Sequence, residues 1–340
     1  MKTEMQGNGD AVQHDVKSGH PTVSIIVPAY DVALFIKETL DSILAQTFRD
    51  YEVIVVNDGA PDTSELELVL QPYLSQIIYV KQENRGCGGA RNTGLRKARG
   101  EYVAFLDGDD VWLPDFLSEQ MKFIKSDGGY DLVYCNAYHF GDHCVGMTYM
   151  ETCPSNGPVT FASLLTAECS VIASGVVARK QIIFDAGLFD EKLPTAEDFE
   201  LWIRLAKLPK VRISYQRSVL LGYRHRSGSL SNDITRHLER SLKAFEKIRN
   251  RTDLTAEERQ LVDDALASRK SVLATRMGKD RLLSGEIDRA KDLFATAQRA
   301  FPNWKLRVTL AAMHVAPRLV QWVYRKWGLK EASGLNQIAH

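Results

Sequence analysis

Long apolar runs are missing from this 340-residue chain. No uninterrupted stretch reaches the roughly 18 residues of a membrane-spanning helix, so none is expected. Phe161 to Ala178 comes nearest, and Glu168 interrupts it. Net charge is missing too. The 43 Lys and Arg balance 43 Asp and Glu, which leaves no overall basic excess to suggest nucleic acid as a partner. Cysteines are few, and the five (Cys87, Cys135, Cys144, Cys153 and Cys169) form no C-x-x-C pair. A disulfide framework or structural zinc site is therefore not expected. Reduced thiols in the cytoplasm fit better. Met1 to His20 is polar, lacks the apolar core of a signal peptide, and reads as a disordered leader. Phosphate-loop and dinucleotide fingerprints are also absent. There is no G-x-x-x-x-G-K-[ST], and the G-x-G at Gly86 fails because Arg91 holds the third glycine position.

What is present is a globular composition, 44% hydrophobic and 25% charged, with room for about two domains. Apolar, β-branched runs recur at Val23 to Val27, Val53 to Val56, Ile77 to Val80 and Tyr102 to Leu106. Helical periodicity separates them, as at Ile36, Leu40, Ile43 and Leu44. A glycine-rich loop from Gly86 to Gly89 is read as leading into a helix that ends near Gly100. This alternation predicts βαβ units and a mostly parallel sheet. Strand ends then share one sheet edge, where open α/β sheets bind ligands. Helices are also expected over Asp115 to Ser126 and from Glu197, and a strand over Asp131 to Tyr138. Beyond about residue 232 the pattern is helical throughout.

The densest chemistry follows the fourth strand. Asp107-Gly108-Asp109-Asp110 puts three carboxylates in four positions. They repel one another unless a cation neutralises them. A hard divalent ion with phosphate oxygens does so; an acidic turn bonding its own backbone is the plainer reading. Asp58 either forms a turn before Gly59 or accepts a hydrogen bond from a ligand. Arg85 and Arg91 flank the glycine loop, and either they meet phosphate oxygens at a helix N-terminus or the stretch is a plain surface loop. Glu197-Asp198 opens an amphipathic helix, as helix-dipole stabilisers or as a general base. His139, His143 and Cys144 have a metal-like spacing but share no helix face, so packed side chains are the default. Phe301 to Lys330 contains no acid, six basic residues, and Trp304, Trp322 and Trp327. This is the pattern of helices lying on anionic membranes. A packed helix pair with a solvated basic face is the alternative.

Taken in order, these motifs resemble the inverting family 2 glycosyltransferases with a GT-A fold, of the bacterial cell-surface polysaccharide type. The resemblance covers roughly residues 21 to 231. It rests on Val23-Ser24-Ile25-Ile26-Val27-Pro28-Ala29-Tyr30, Gln46-Thr47-Phe48, Val55-Val56-Asn57-Asp58-Gly59, Asn84-Arg85-Gly86 with Ala90-Arg91-Asn92, Phe105 to Asp110, and Glu197-Asp198 with Leu201-Trp202. It implies an α/β GT-A domain at 21–231, after the leader at 1–20 and before a helical C-terminal region at 232–340. It implies that Pro28, Tyr30 and Asp58 hold the nucleotide base, with Asp58 accepting from uracil when the donor is a UDP-sugar. Asp107, Gly108 and Asp109 match the DxD motif, with Asp109 ligating Mn2+ or Mg2+ and Asp107 nearer the ribose. Asp110 supports them, Arg91 joins the nucleotide-sugar site, and Asp198 matches the catalytic base. Tyr223-Arg224-His225-Arg226 resembles a loop that approaches the diphosphate. Two positions depart from the pattern: Asp31 replaces an asparagine, and Ala60 a serine.

The implied reaction is direct displacement of a nucleoside diphosphate by a hydroxyl of a glycan or lipid-linked acceptor. It would run in the cytoplasm or on the membrane's cytoplasmic face, held by residues 301–330. Two other readings use the same acids: a sugar nucleotidyltransferase and a non-catalytic nucleotide-sugar scaffold. The first expects a basic glycine-rich loop where Pro28-Ala29-Tyr30-Asp31 stands. The second expects the metal or base acid to be missing, yet Asp109 and Asp198 are both there.

Overall fold

The computed structural model describes residues 20–126, 129–142, 146–226 and 234–331. The leader to residue 19, His143 with Cys144, and the loop expected at Ser227 to Ser229 lie outside the described residues. Eight strands are formed: β1 (Val23–Ala29), β2 (Tyr51–Asp58), β3 (Ile78–Gln82), β4 (Tyr102–Phe105), β5 (Val111–Trp112), β6 (Leu132–Gly141), β7 (Val177–Arg179) and β8 (Ile213–His225). They make one sheet in the order β3-β2-β1-β4-β7-β6-β8-β5.

The first half, β3-β2-β1-β4, is parallel, as the four apolar runs predict. Its central strands are buried on both faces, which is why they read as unbroken apolar runs rather than as alternation. The second half is mixed. β7 runs antiparallel to β4 and β6, β6 is parallel to β8, and β5 is antiparallel to β8.

Helices cover both faces. α1 (Ile36–Leu44), α2 (Thr63–Leu70), α3 (Gly86–Lys97) and α4 (Phe116–Ile124) alternate with the early strands. Three short helices follow, α5 (Tyr149–Thr152), α6 (Phe161–Leu165) and α7 (Lys180–Asp185), and then α8 (Glu197–Ala206). The C-terminal set is α9 (Ile234–Arg249), α10 (Ala256–Leu283), α11 (Ile287–Ala300), α12 (Trp304–Val315) and α13 (Pro317–Glu331). Successive strand residues point to opposite faces. Ile25, Val27, Val53 and Val55 therefore pack with Ile36, Leu40 and Phe116 on one side. Ile26, Ile54 and Val56 pack with Leu95, Trp202 and Phe245 on the other. Phe245, Val262 and Leu266 of α9 and α10 belong to this second core. Farther along, Ala274, Leu282, Phe294 and Met313 form a separate small core among α10 to α13.

One expectation is corrected at α3. The glycines of residues 86–89 are not a loop preceding a helix; they are its first turn, and the helix ends at Lys97. Glycine disfavours helix interiors, but here the small residues let α3 lie tightly on the sheet. A Cβ at Gly94 would sit 2.4 Å from Cγ2 of Ile26.

Candidate functional site

The carboxyl ends of β1, β2 and β4 open into a cavity of about 700 Å³. β1 stands between β2 and β4, so this is the switch point of the parallel half. Pro28, Tyr30, Asp58, Arg91, Asp107, Gly108, Asp109 and Asp198 all line this cavity. Residues up to 170 positions apart are thus gathered by topology.

At one end, Asp58 closes β2 and is buried. Its Oδ1 accepts from the Gln82 amide at 2.7 Å and the Arg85 backbone N–H at 2.8 Å. Burial raises its pKa despite these bonds. Tyr30 is half exposed beside it. Asp31 then adopts a left-handed conformation, φ 54°. Asn and Asp tolerate that region best after glycine, which explains why aspartate can stand where asparagine is usual. The Arg85 side chain turns away to Glu191, at 2.5 Å, and is not among the cavity-lining residues. Of the two readings of that stretch, Arg85 fits the surface one and Arg91 the cavity one.

The acid cluster has protein partners for every carboxylate. Asp107 accepts from Arg91 at 2.7 Å, and the same guanidinium reaches Glu197 at 2.7 Å. Asp109 Oδ2 accepts from Arg226 Nε at 2.6 Å. Asp110 is buried, accepting from the Ser174 hydroxyl at 2.6 Å and the Arg224 N–H at 2.8 Å. Arg91 and Arg226 thus offset part of the cluster's charge, alongside any bound cation. Burial still raises the pKa of Asp109 against the Arg226 bond. Asp110 lies well above the usual range through burial and the charges of Asp109 and Asp107. Gly108 is packed closely, since a Cβ there would lie 3.0 Å from Val32 and 3.1 Å from the Pro28 carbonyl.

Opposite stands the first turn of α8. Ala196 precedes it at φ 58°, a conformation that costs a non-glycine residue about 1–3 kcal/mol. That turn presents Asp198 to the cavity, with Oδ1 accepting from the Phe199 N–H at 2.7 Å. Glu197 is buried beneath, and burial together with the Asp198 charge pushes its pKa up to about 7. Arg91 Nε and Trp202 Nε1 are buried without protein partners, and both residues line the cavity. Unmet buried N–H groups cost about 1–3 kcal/mol each, so the cavity suits a polar ligand.

Sequence reasoning passed over Ser174, which holds Asp110, and over Arg240, Ser241, Phe245 and Arg269, which line the cavity from α9 and α10. Nothing in an amphipathic helical pattern distinguishes such residues. Arg224 and Arg226 were legible only through the β8 motif. His139 pairs with His225, Nδ1 to Nε2 at 2.9 Å. Among the described residues no group of three His, Cys, Asp or Glu is placed to hold a metal.

A second surface lies on α12 and α13. Leu306, Met313 and Val320 pack inward, while Trp304, Val308, Leu319 and Trp322 are exposed. Among the described residues no helix is long and apolar enough to cross a membrane.

Comparison with known proteins agrees with this architecture. An uncharacterized glycosyltransferase of Rickettsia prowazekii is 32% identical over 228 residues, covering 64% of this chain and 69% of that protein. Of several longer Rickettsia relatives this chain spans only about a third of the length, 33 to 37%. Residues 1–349 of Staphylococcus aureus TarS, solved with UDP-GlcNAc, superpose with a TM-score of 0.59 at 22% identity, covering 90% of this chain and 92% of that one. The mannosyltransferase PcManGT of Pyrobaculum calidifontis, solved with GDP-Man and Mn2+, gives 0.58 at 20% identity, covering 95% and 86%. These two show a shared GT-A fold. The model of glycosyl transferase family 2 matches residues 24–182, and with the Rickettsia prowazekii relative this establishes that the chain belongs to glycosyl transferase family 2.

Proposed function

We propose that this chain is an inverting glycosyltransferase. It moves a sugar from a nucleoside diphosphate, UDP by preference, to a hydroxyl of a glycan or lipid-linked acceptor. The observation that carries the reading is that Asp58, the Asp107–Asp109 pair and Asp198 line one cavity. Asp58 has a carboxylate oriented by Gln82 and Arg85 at the base end, which favours a base with an N–H on its pairing edge. TarS and PcManGT, with UDP-GlcNAc and GDP-Man, support the donor class.

Asp198 takes the proton from the acceptor hydroxyl as its oxygen attacks the anomeric carbon, a role that general bases fill with about 10²–10⁴-fold effect. The bond from that carbon to the diphosphate oxygen breaks on the opposite face, so the centre inverts. Arg226 and Arg91, beside Asp109 and Asp107, would face the negative charge that grows on the departing group. Asp109 offers hard oxygen ligands, of which Arg226 engages one, and so suits Mn2+ or Mg2+ completed by diphosphate and water oxygens. Such an ion, when bound, supplies Lewis-acid stabilisation of the leaving diphosphate. The exposed Trp304 and Trp322, with Lys305, Arg307, Arg318, Arg325 and Lys326 and no acid nearby in sequence, support peripheral binding to the cytoplasmic face of a membrane.

The test is donor hydrolysis, with water as acceptor, across UDP-, GDP-, CDP- and dTDP-sugars. One nucleotide class should be turned over. Asp198→Asn should keep nucleotide affinity and lose about 100-fold or more of the rate. Wild-type turnover in that variant removes Asp198 as the base.

A further inference from the structure

The end of the cavity farthest in sequence from the base pocket is built by the C-terminal helices. Arg240 and Ser241 come from α9 and Arg269 from α10, and all three line the cavity with Phe199 and Phe245. Arg269 places its guanidinium 3.7 Å over the Phe245 ring. Phe245 in turn stacks on Phe199 at 4.9 Å between centroids, and Phe199 directly follows Asp198. Several other basic residues on the same helices are paired: Lys247 bonds Asp190 and Glu200, and Arg249 bonds Asp263; Arg276 of α10 also keeps a buried Nε without a partner, but it does not line the cavity. Among the described residues, neither Arg240 nor Arg269 makes a hydrogen bond or ion pair. Both are partly buried.

A guanidinium withdrawn from water is ordinarily matched by an anion. Burial alone lowers the Arg269 pKa to about 10, with no acid to counter it, yet the group remains charged at neutral pH. A cation–π contact compensates only in part, by about 0.5–2 kcal/mol. Two cations on the cavity wall without an anionic partner therefore suit an incoming anionic group, which arginine binds through two parallel N–H donors. The proposed reaction assigns the diphosphate to Arg91 and Arg226, which lie beside Asp107 and Asp109, and leaves this second pair for another anion.

We propose that Arg240 and Arg269 form an acceptor subsite for an anionic group, a phosphate ester or a carboxylate. This rests on the glycosyltransferase reading and narrows its acceptor to an acidic glycan or phosphate polymer. Anchoring the anion on α9 and α10 would leave a neighbouring hydroxyl to reach Asp198.

The test uses arginine side-chain NMR on the full chain, titrated with glycerol 1-phosphate, glucuronate or neutral glucose. One of the two anions should shift the Arg240 and Arg269 Nε–H signals saturably at lower concentration than the other, and glucose should not. A tighter response to glycerol 1-phosphate identifies a phosphate acceptor, and one to glucuronate an acidic sugar. R240Q/R269Q should weaken anion binding about tenfold or more and leave nucleotide affinity unchanged. If the double variant does not fold, R240Q alone, at the position without the ring stack, is read the same way. Absence of saturable shifts at these two signals, equal shifts with glucose, or wild-type anion affinity in the variant overturns the subsite. Failure of the donor reading is seen separately, as loss of nucleotide binding by the wild type.

Discussion

Glu197 and Asp198 are adjacent in sequence but have different surroundings. Asp198 faces the cavity, half buried, whereas Glu197 turns under it onto Arg91. Folding raises the Glu197 pKa from 4.5 to about 7. Between those values the folded chain keeps a proton that the unfolded chain has released. The Glu197 contribution to stability is therefore full below about pH 4.5, falls as pH rises, and is level above about 7. Melting temperatures of wild type and Glu197→Gln between pH 4.5 and 8 read this directly. The difference between the two should decline with rising pH, and a flat difference contradicts it. Asp58, Asp107, Asp109 and Asp198 were legible in sequence because each ends a strand or opens a helix beside a glycine or in an acidic pair. Their partners were not. Ser174 and Arg226 reach the acids by folding from 64 and 117 positions away, and no local pattern encodes that contact.

α3 illustrates what elements conceal. Its glycines suggest a loop by propensity, but close packing on β1 overrides propensity. The helix is then intolerant of added volume. Gly94→Ala puts a methyl 2.4 Å from Ile26 Cγ2, and overpacking of this kind costs about 1–3 kcal/mol. Urea unfolding should show that loss with an unchanged m-value; wild-type stability means that α3 can move off the sheet. The parallel half was legible because doubly buried strands are continuous apolar runs. In the mixed half only β6 was legible, from the run at Asp131 to Tyr138; β5 has two residues and β7 three, too few for any periodicity. Long helices such as α9 to α11 were legible, since several turns repeat one face.

The whole molecule joins a strand-end cavity to a helical C-terminal region through shared packing. α9 and α10 complete both the second core and the cavity wall. α12 and α13 instead leave tryptophans outward. Replacing Trp304 and Trp322 with serine should weaken binding to anionic vesicles by about tenfold, the equivalent of about 1.4 kcal/mol, without altering nucleotide affinity. Vesicle cosedimentation that is indifferent to both tryptophans and to salt contradicts a membrane-facing surface. Calorimetry decides whether the cavity is a sugar-nucleotide site organised by Asp109. UDP, GDP, CDP and dTDP are titrated into wild type and Asp109→Ala, each with and without Mn2+. Mn2+-dependent binding of one nucleotide, UDP first, is expected, with its loss in the variant. Binding of none, or equal binding to both proteins, contradicts it.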